Sequence, residues 1–166
     1  MTGARDAVFL VGFMGAGKST VGRALADLLG RVFIDLDERI VALEGRTIAA
    51  ILEESGERYF RERERAILAG LERRPPPIVA CGGGTYAYEP SRRVIDAAGV
   101  AVWLQVPLPV ALARCGAGAG RPLLRGPAQA RALYRARLPS YRAAPLHVDV
   151  DGLTPDDAAA RIAAIL

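Results

Sequence analysis

Ala7-Val8-Phe9-Leu10-Val11-Gly12-Phe13-Met14-Gly15-Ala16-Gly17-Lys18-Ser19 is the stretch from which the fold is read. Its first five residues are apolar, β-branched or aromatic, the composition of a buried strand. Gly12 stops the run, and Gly12 to Ser19 match the eight-residue phosphate-loop pattern in full. Val21, Leu25, Leu28 and Leu29 then recur at helical spacing, and Gly30 supplies a C-cap. Glycines in such a loop let backbone N–H groups turn toward bound phosphates, and the helix N-terminus adds its dipole. Lys18 would reach the β- and γ-phosphates, and the Ser19 hydroxyl would ligate Mg2+. Lys18 is the only lysine among 22 basic residues. Strand, loop and helix in this order imply nucleotide binding.

Working outward, Arg31 to Asp35 predicts a second strand, and Asp37 to Leu71 reads as helix broken at Gly45 and Gly56. Pro75 to Pro77 end that region and open a third strand, Ile78 to Cys81, which runs into Gly82-Gly83-Gly84. A helix around Pro90 to Ala98 leads to a fourth strand, Val100 to Val106, and a helix from Pro107 to about Cys115 follows. Gly116 to Gly120 is too rich in glycine to hold one conformation alone. A helix from about Ala128 to Tyr141 precedes a fifth strand, His147 to Val150. Thr154 then caps a terminal helix with Pro155 at its first position and Asp156 and Asp157 in its first turn. Five strands alternating with helices predict an α/β fold, an open parallel sheet covered on both faces.

The chain is 166 residues long, 51% hydrophobic and 24% charged, which suits one compact domain and excludes a disordered or fibrous chain. No uninterrupted apolar run reaches spanning length, and Val8 to Met14 leads into Gly17-Lys18 rather than a cleavage site, so neither membrane insertion nor a signal peptide is expected. Cys81 and Cys115 are too few for a disulfide framework and suit a reducing, cytoplasmic setting as small buried hydrophobes. A net charge of +4 raises the question of nucleic acid. Between residues 57 and 65, however, arginine alternates with glutamate, and only Tyr59 and Phe60 are aromatic, so no stacking platform is evident.

A small-molecule kinase is the class that suits a phosphate loop in so short a chain. Such an enzyme needs a metal carboxylate, an acceptor site and a lid that excludes water. Asp35 and Asp37 stand at i and i+2 at a strand end, on the sheet edge where open α/β folds bind ligands. One suits the metal and the other an acceptor hydroxyl, although Asp37 could also cap a short helix, Glu38 to Leu43. Arg58, Arg61 and Arg65 form one helical stripe. Most of them read as a solvated face with pairs such as Glu57–Arg61, while one turned inward would clamp a carboxylate. Gly82, Gly83 and Gly84 put bare backbone beside the crevice. Arg121, just after the flexible glycines, is either a lid arginine over the transferred phosphoryl group or a plain surface residue.

Taken together, these segments resemble the shikimate kinases over nearly the whole chain. The resemblance runs from Gly12 to Thr20 through Asp35-Leu36-Asp37, Phe60-Arg61 with Glu64, Gly82 to Gly84 and Arg121-Pro122-Leu123-Leu124. It continues through Arg137-Leu138-Pro139-Ser140-Tyr141 to Asp151-Gly152-Leu153-Thr154-Pro155. It implies a single kinase domain over 1–166, with substrate-binding helices at about 37–71 and a lid at about 115–126, and transfer of the ATP γ-phosphoryl group to the 3-hydroxyl of shikimate. ATP would contact Gly12, Gly15, Ala16, Gly17, Lys18, Ser19 and Thr20, with Arg114 against adenine, Pro155 on its other side and Arg121 over the phosphates. Asp37 would hold the acceptor hydroxyls as a candidate base. Arg61 and Arg137 would clamp the carboxylate, with Gly82, Gly83 and Gly84 close by. Ser19 would bind Mg2+ directly and Asp35 through water. The family further suggests a monomer, with no nucleic-acid or membrane partner.

Thr85-Tyr86-Ala87-Tyr88 is bulkier and more polar than is usual in that family, the lid is rich in glycine and alanine, and the adenine loop has no arginine of its own. A related kinase of another acceptor such as gluconate would keep Lys18 and Ser19 without needing Arg61 and Arg137 together. A non-catalytic nucleotide-binding protein is the second alternative.

Overall fold

The computed structural model describes residues 6–72, 74–115 and 126–166. β1 (Ala7–Val11) is buried at every position and lies at the centre of a five-stranded sheet. β3 (Ile78–Ala80) and β2 (Phe33–Asp35) continue the sheet on one side of it. β4 (Gly99–Gln105) and β5 (Leu146–Asp149) continue it on the other, in the order β2-β3-β1-β4-β5. Every pairing is parallel. Central parallel strands lose both faces to helices, which is why β1, β3 and most of β4 are near-continuous apolar runs.

Seven helices cover the sheet among the described residues. α1 (Lys18–Leu29) packs against the C-terminal helix α7 (Pro155–Ala163). It buries Val21, Gly22, Leu25 and Ala26, whereas Leu28 and Leu29, which share the apolar spacing, are exposed in its last turn. α2 (Leu36–Glu44) ends at Gly45, and α3 (Ile48–Ala69) bends at Gly56, whose φ of 84° and ψ of 167° are not helical. Both glycine breaks are therefore present, the second as a kink within one long helix. α4 (Glu89–Ala98), α5 (Leu108–Cys115) and α6 (Pro127–Arg142) complete the set.

The N-cap of α2 is a correction to the sequence reading. Asp35, not Asp37, caps it: the Asp35 Oδ1 accepts from the backbone N–H groups of Asp37 and Glu38 at 3.1 and 3.2 Å. The helix begins two residues earlier than the charge pattern suggests because Leu36 is drawn into the core, leaving Asp37 in the first turn rather than at the cap.

The chain crosses from β3 to β4 over the top of β1, so the crevice beside β1 is where strand order reverses. Open α/β sheets bind ligands at that point, beyond the carboxyl ends of their strands. The phosphate loop, Asp35 and the three glycines after β3 all lie there.

Candidate active site

The loop from Gly12 to Gly17 uses left-handed backbone that only glycine adopts cheaply, with φ of 77° at Gly15 and 89° at Gly17. Gly15 is also confined by space, since a Cβ there would sit 2.2 Å from the Ala111 carbonyl oxygen of α5. Lys18 is buried, and its ammonium donates to the carbonyls of Gly12 and Phe13 at 2.8 and 2.9 Å. These bonds hold the cation at the mouth of the loop it serves.

Ser19, at the start of α1, donates to Asp35 Oδ2 at 2.5 Å. Because Oδ1 is committed to the α2 cap, the carboxylate is oriented with Oδ2 toward the serine. Together with Gly15, Gly17, Lys18, Thr20, Asp37, Cys81, Gly82, Gly83, Met14 and Arg114, these two residues line a cavity of about 350 Å³. Arg114 leans over the loop with Nη1 3.4 Å from the Gly15 carbonyl. Gly12 and Ala16 are buried beneath it. Pro155 is exposed at the start of α7 and does not line this cavity. Arg121 and most of the proposed lid lie outside the described residues.

A second cavity, of about 420 Å³, is lined by Glu57, Arg58, Arg61, Gly84, Ala87, Tyr88, Leu133 and Arg137. Gly82 and Gly83 face the first cavity and Gly84 the second, so the glycine run is the seam between them. Its lack of side chains is required by packing. A Cβ on Gly84 would sit 2.2 Å from Arg61 Nη2 and 2.8 Å from Arg137 Nη2, and one on Gly82 would sit 3.1 Å from Asp37 Oδ1. Of the α3 stripe, only Arg61 turns inward, at 8% exposure, whereas Arg58 is exposed and Arg65 half-buried. Arg137 reaches the same place from α6 at 6% exposure.

The two guanidiniums differ electrostatically. Arg61 Nη1 donates to both oxygens of Glu64, at 3.1 and 3.2 Å, and Glu57 stands 3.7 Å from Nη2. Glu64 is fully buried on the inner face of α3. Burial pushes its carboxyl up to about 7, with Arg61 opposing that rise and Asp37 adding to it. Arg137 has no carboxylate partner among the described residues, and its Nη1 is buried without a hydrogen bond. Burial, and the positive charge of Arg61 beside it, hold its pKa below the ordinary arginine value. Two neighbouring cations that converge on Gly84, one of them without a carboxylate partner among the described residues, make an anion site.

A family model described as shikimate kinase matches residues 14–166. The shikimate kinase of Ruegeria pomeroyi is 45% identical over 150 residues, covering 89% of this chain and 77% of that protein. That of Cereibacter sphaeroides is 44% identical over 161 residues, covering 95% and 81%. The chain belongs to the shikimate kinase family. Among solved structures, the shikimate kinase from Acinetobacter baumannii in complex with shikimate superposes with a TM-score of 0.90 at 36% identity, covering 96% of this chain and 92% of that one. Membership of this family makes the chain an α/β ATP-dependent kinase of the phosphate-loop type, and no helix among the described residues is long and apolar enough to cross a membrane.

Two residues of the site stand in the motifs quoted from the sequence but receive no role there. Glu64 looks like one more charge on a solvated helix face until its 0% exposure is known. Tyr141 closes the same corner with its hydroxyl on the Gly83 carbonyl, and its i+4 spacing from Arg137 is the signal that could have pointed to it.

Proposed function

We propose that this shikimate kinase family member transfers the γ-phosphoryl group of ATP to the 3-hydroxyl of shikimate. The observation that carries the reading is the Arg61–Arg137 pair over Gly84, next to the phosphate-loop cavity, with Arg137 Nη1 lacking a protein partner. A carboxylate bound there would offset two desolvated charges. A gluconate-type acceptor also bears a carboxylate, but it is a flexible open chain, whereas these arginines come from two different helices, α3 and α6, and converge on Gly84.

With its carboxylate at Arg61 and Arg137, the acceptor's ring would span the glycine seam and direct a hydroxyl toward Asp37. The hydroxyl oxygen attacks the γ-phosphorus in line, the bond to the bridging oxygen of ADP breaks, and the hydroxyl proton passes to the Asp37 carboxylate. Lys18 would exchange the carbonyls of Gly12 and Phe13 for β- and γ-phosphate oxygens. Arg121 would add positive charge from the lid, and Arg114 and Pro155 would flank the adenine.

Ser19 Oγ and Asp35 Oδ2 are hard oxygen donors side by side, a donor set suited to Mg2+, which keeps waters and phosphate oxygens for the rest of its shell. Bound there, Mg2+ would neutralise charge on the phosphate oxygens. Asp35 would act as its outer orienter, held by the α2 cap. Free thiols at Cys81 and Cys115 support a reducing, cytoplasmic location, and we propose a monomer.

The test is ADP release from Mg-ATP with shikimate, with gluconate and with no acceptor, using Lys18→Ala as blank. Release that requires shikimate is expected. Release with gluconate alone would overturn the acceptor, and release without any acceptor would make the protein an NTPase.

A further inference from the structure

Tyr141 lies one helical turn after Arg137 on the same face of α6 and is fully buried. Its ring stacks on Trp103 of β4, with centroids 6.0 Å apart and planes 30° apart, and His147 of β5 braces the far side of Trp103 edge-on at 5.1 Å. The ring is thus pinned by the sheet rather than by the site. Its hydroxyl reaches out of this apolar packing and donates to the Gly83 carbonyl at 2.5 Å, across 58 residues of sequence. The Arg137 guanidinium lies against the same glycine, with Nη1 3.1 Å from where a Cβ on Gly83 would sit. Burial pushes the phenol up to about 12, so it stays a neutral O–H able to donate to the Gly83 carbonyl.

We propose that Tyr141 is a positioning residue of the acceptor site: its hydroxyl fixes the carbonyl of Gly83, the residue against which the Arg137 guanidinium lies, and so sets where Arg137 presents its charge to the substrate carboxylate. Volume alone does not explain the residue, because phenylalanine would stack on Trp103 equally well. The hydroxyl is needed only by its polar partner, the Gly83 carbonyl, which belongs to the seam between the cavities. Without it the Gly83 carbonyl loses its donor, and Arg137 is free to turn toward it, spending the N–H groups that the acceptor needs.

This inference rests on the acceptor reading above, and the experiment separates the two. Initial rates are measured against shikimate and against ATP for the native protein, Tyr141→Phe, Arg137→Met and the double variant, with thermal melts of each. Tyr141→Phe should raise the KM for shikimate about tenfold, with kcat and the KM for ATP within about twofold and an almost unchanged melting temperature. In the Arg137→Met background the same change should cost no more than about twofold, because the group it holds is gone. An unchanged shikimate KM, additive effects in the double variant, equal rises in both KM values or failure to fold would each overturn the positioning role. Absence of shikimate turnover in the native protein would instead overturn the acceptor reading.

Discussion

Among the described residues no carboxylate pairs directly with Arg137. A cation at 6% exposure without a carboxylate lowers stability, so its presence is better explained by ligand binding than by folding. Arg137→Met should therefore leave the melting temperature unchanged or raise it, while raising the shikimate KM about a hundredfold, as expected for loss of a charge-assisted bond in a dry site. Thermal melts and initial rates on one preparation check both halves. Arg61 is the opposite case, because Glu64 accepts two bonds from it. Arg61→Ala strands that acid, and both stability and shikimate binding should fall, the latter visible as loss of saturation in the accessible range. Lys18→Ala removes the cation and also two bonds within the loop, and ADP release should fall by roughly a thousandfold or more.

At the level of the elements, α3 shows how one helix serves two purposes. Its inner face presents Phe60, Arg61 and Glu64, while Arg63 on the outer face pairs with Glu44 of α2, and Tyr59 donates to the same carboxylate at 3.0 Å. Glu44 also accepts from Arg46 at 3.2 Å, so these outer contacts lock α2 to α3 and set the rotation that aims Arg61 inward. The glycine run after β3 plays the complementary part. Gly84→Ala would push on both guanidiniums. We expect a shikimate KM raised at least about a hundredfold with an ATP KM changed by less than about threefold, because the clash lies on the far side of the seam from the phosphate loop. Steady-state titration of each substrate distinguishes this from general damage. Much at this level was legible in the chain. The strand alternation, the breaks at Gly45 and Gly56 and the Thr154 cap are local choices made by residue type. Asp37 stands in the sequence as an alternative cap because both acids suit the position, and the burial of Leu36 decides for Asp35.

For the whole molecule, Glu64 links the site to pH. Its carboxyl titrates near 4.5 when unfolded and about 7 when folded, because the core excludes water. Between those values the folded protein holds a proton that the unfolded chain has lost. Stability from this group is therefore present below about 4.5, falls as pH rises through that window and stays low above 7. Glu64→Gln cannot titrate, so the stability of the native protein relative to this variant should decline across the window by up to a few kcal/mol. Urea unfolding at pH 5, 6 and 7 measures the difference, and parallel curves would contradict it.

Short-range chemistry wrote the nucleotide half of this protein into its primary structure. A glycine loop between a strand and a helix, one lysine, and acids at a strand end act through their own backbone neighbours, and such patterns survive being read one residue at a time. The acceptor half depended on the assembled fold. Residue type does not say which of many arginines loses its water, that Glu64 lies at 0% exposure, or that Tyr141 reaches Gly83. Those outcomes follow from helix rotation and from contacts between segments far apart in the chain, where burial, rather than identity, sets the energy of a charge.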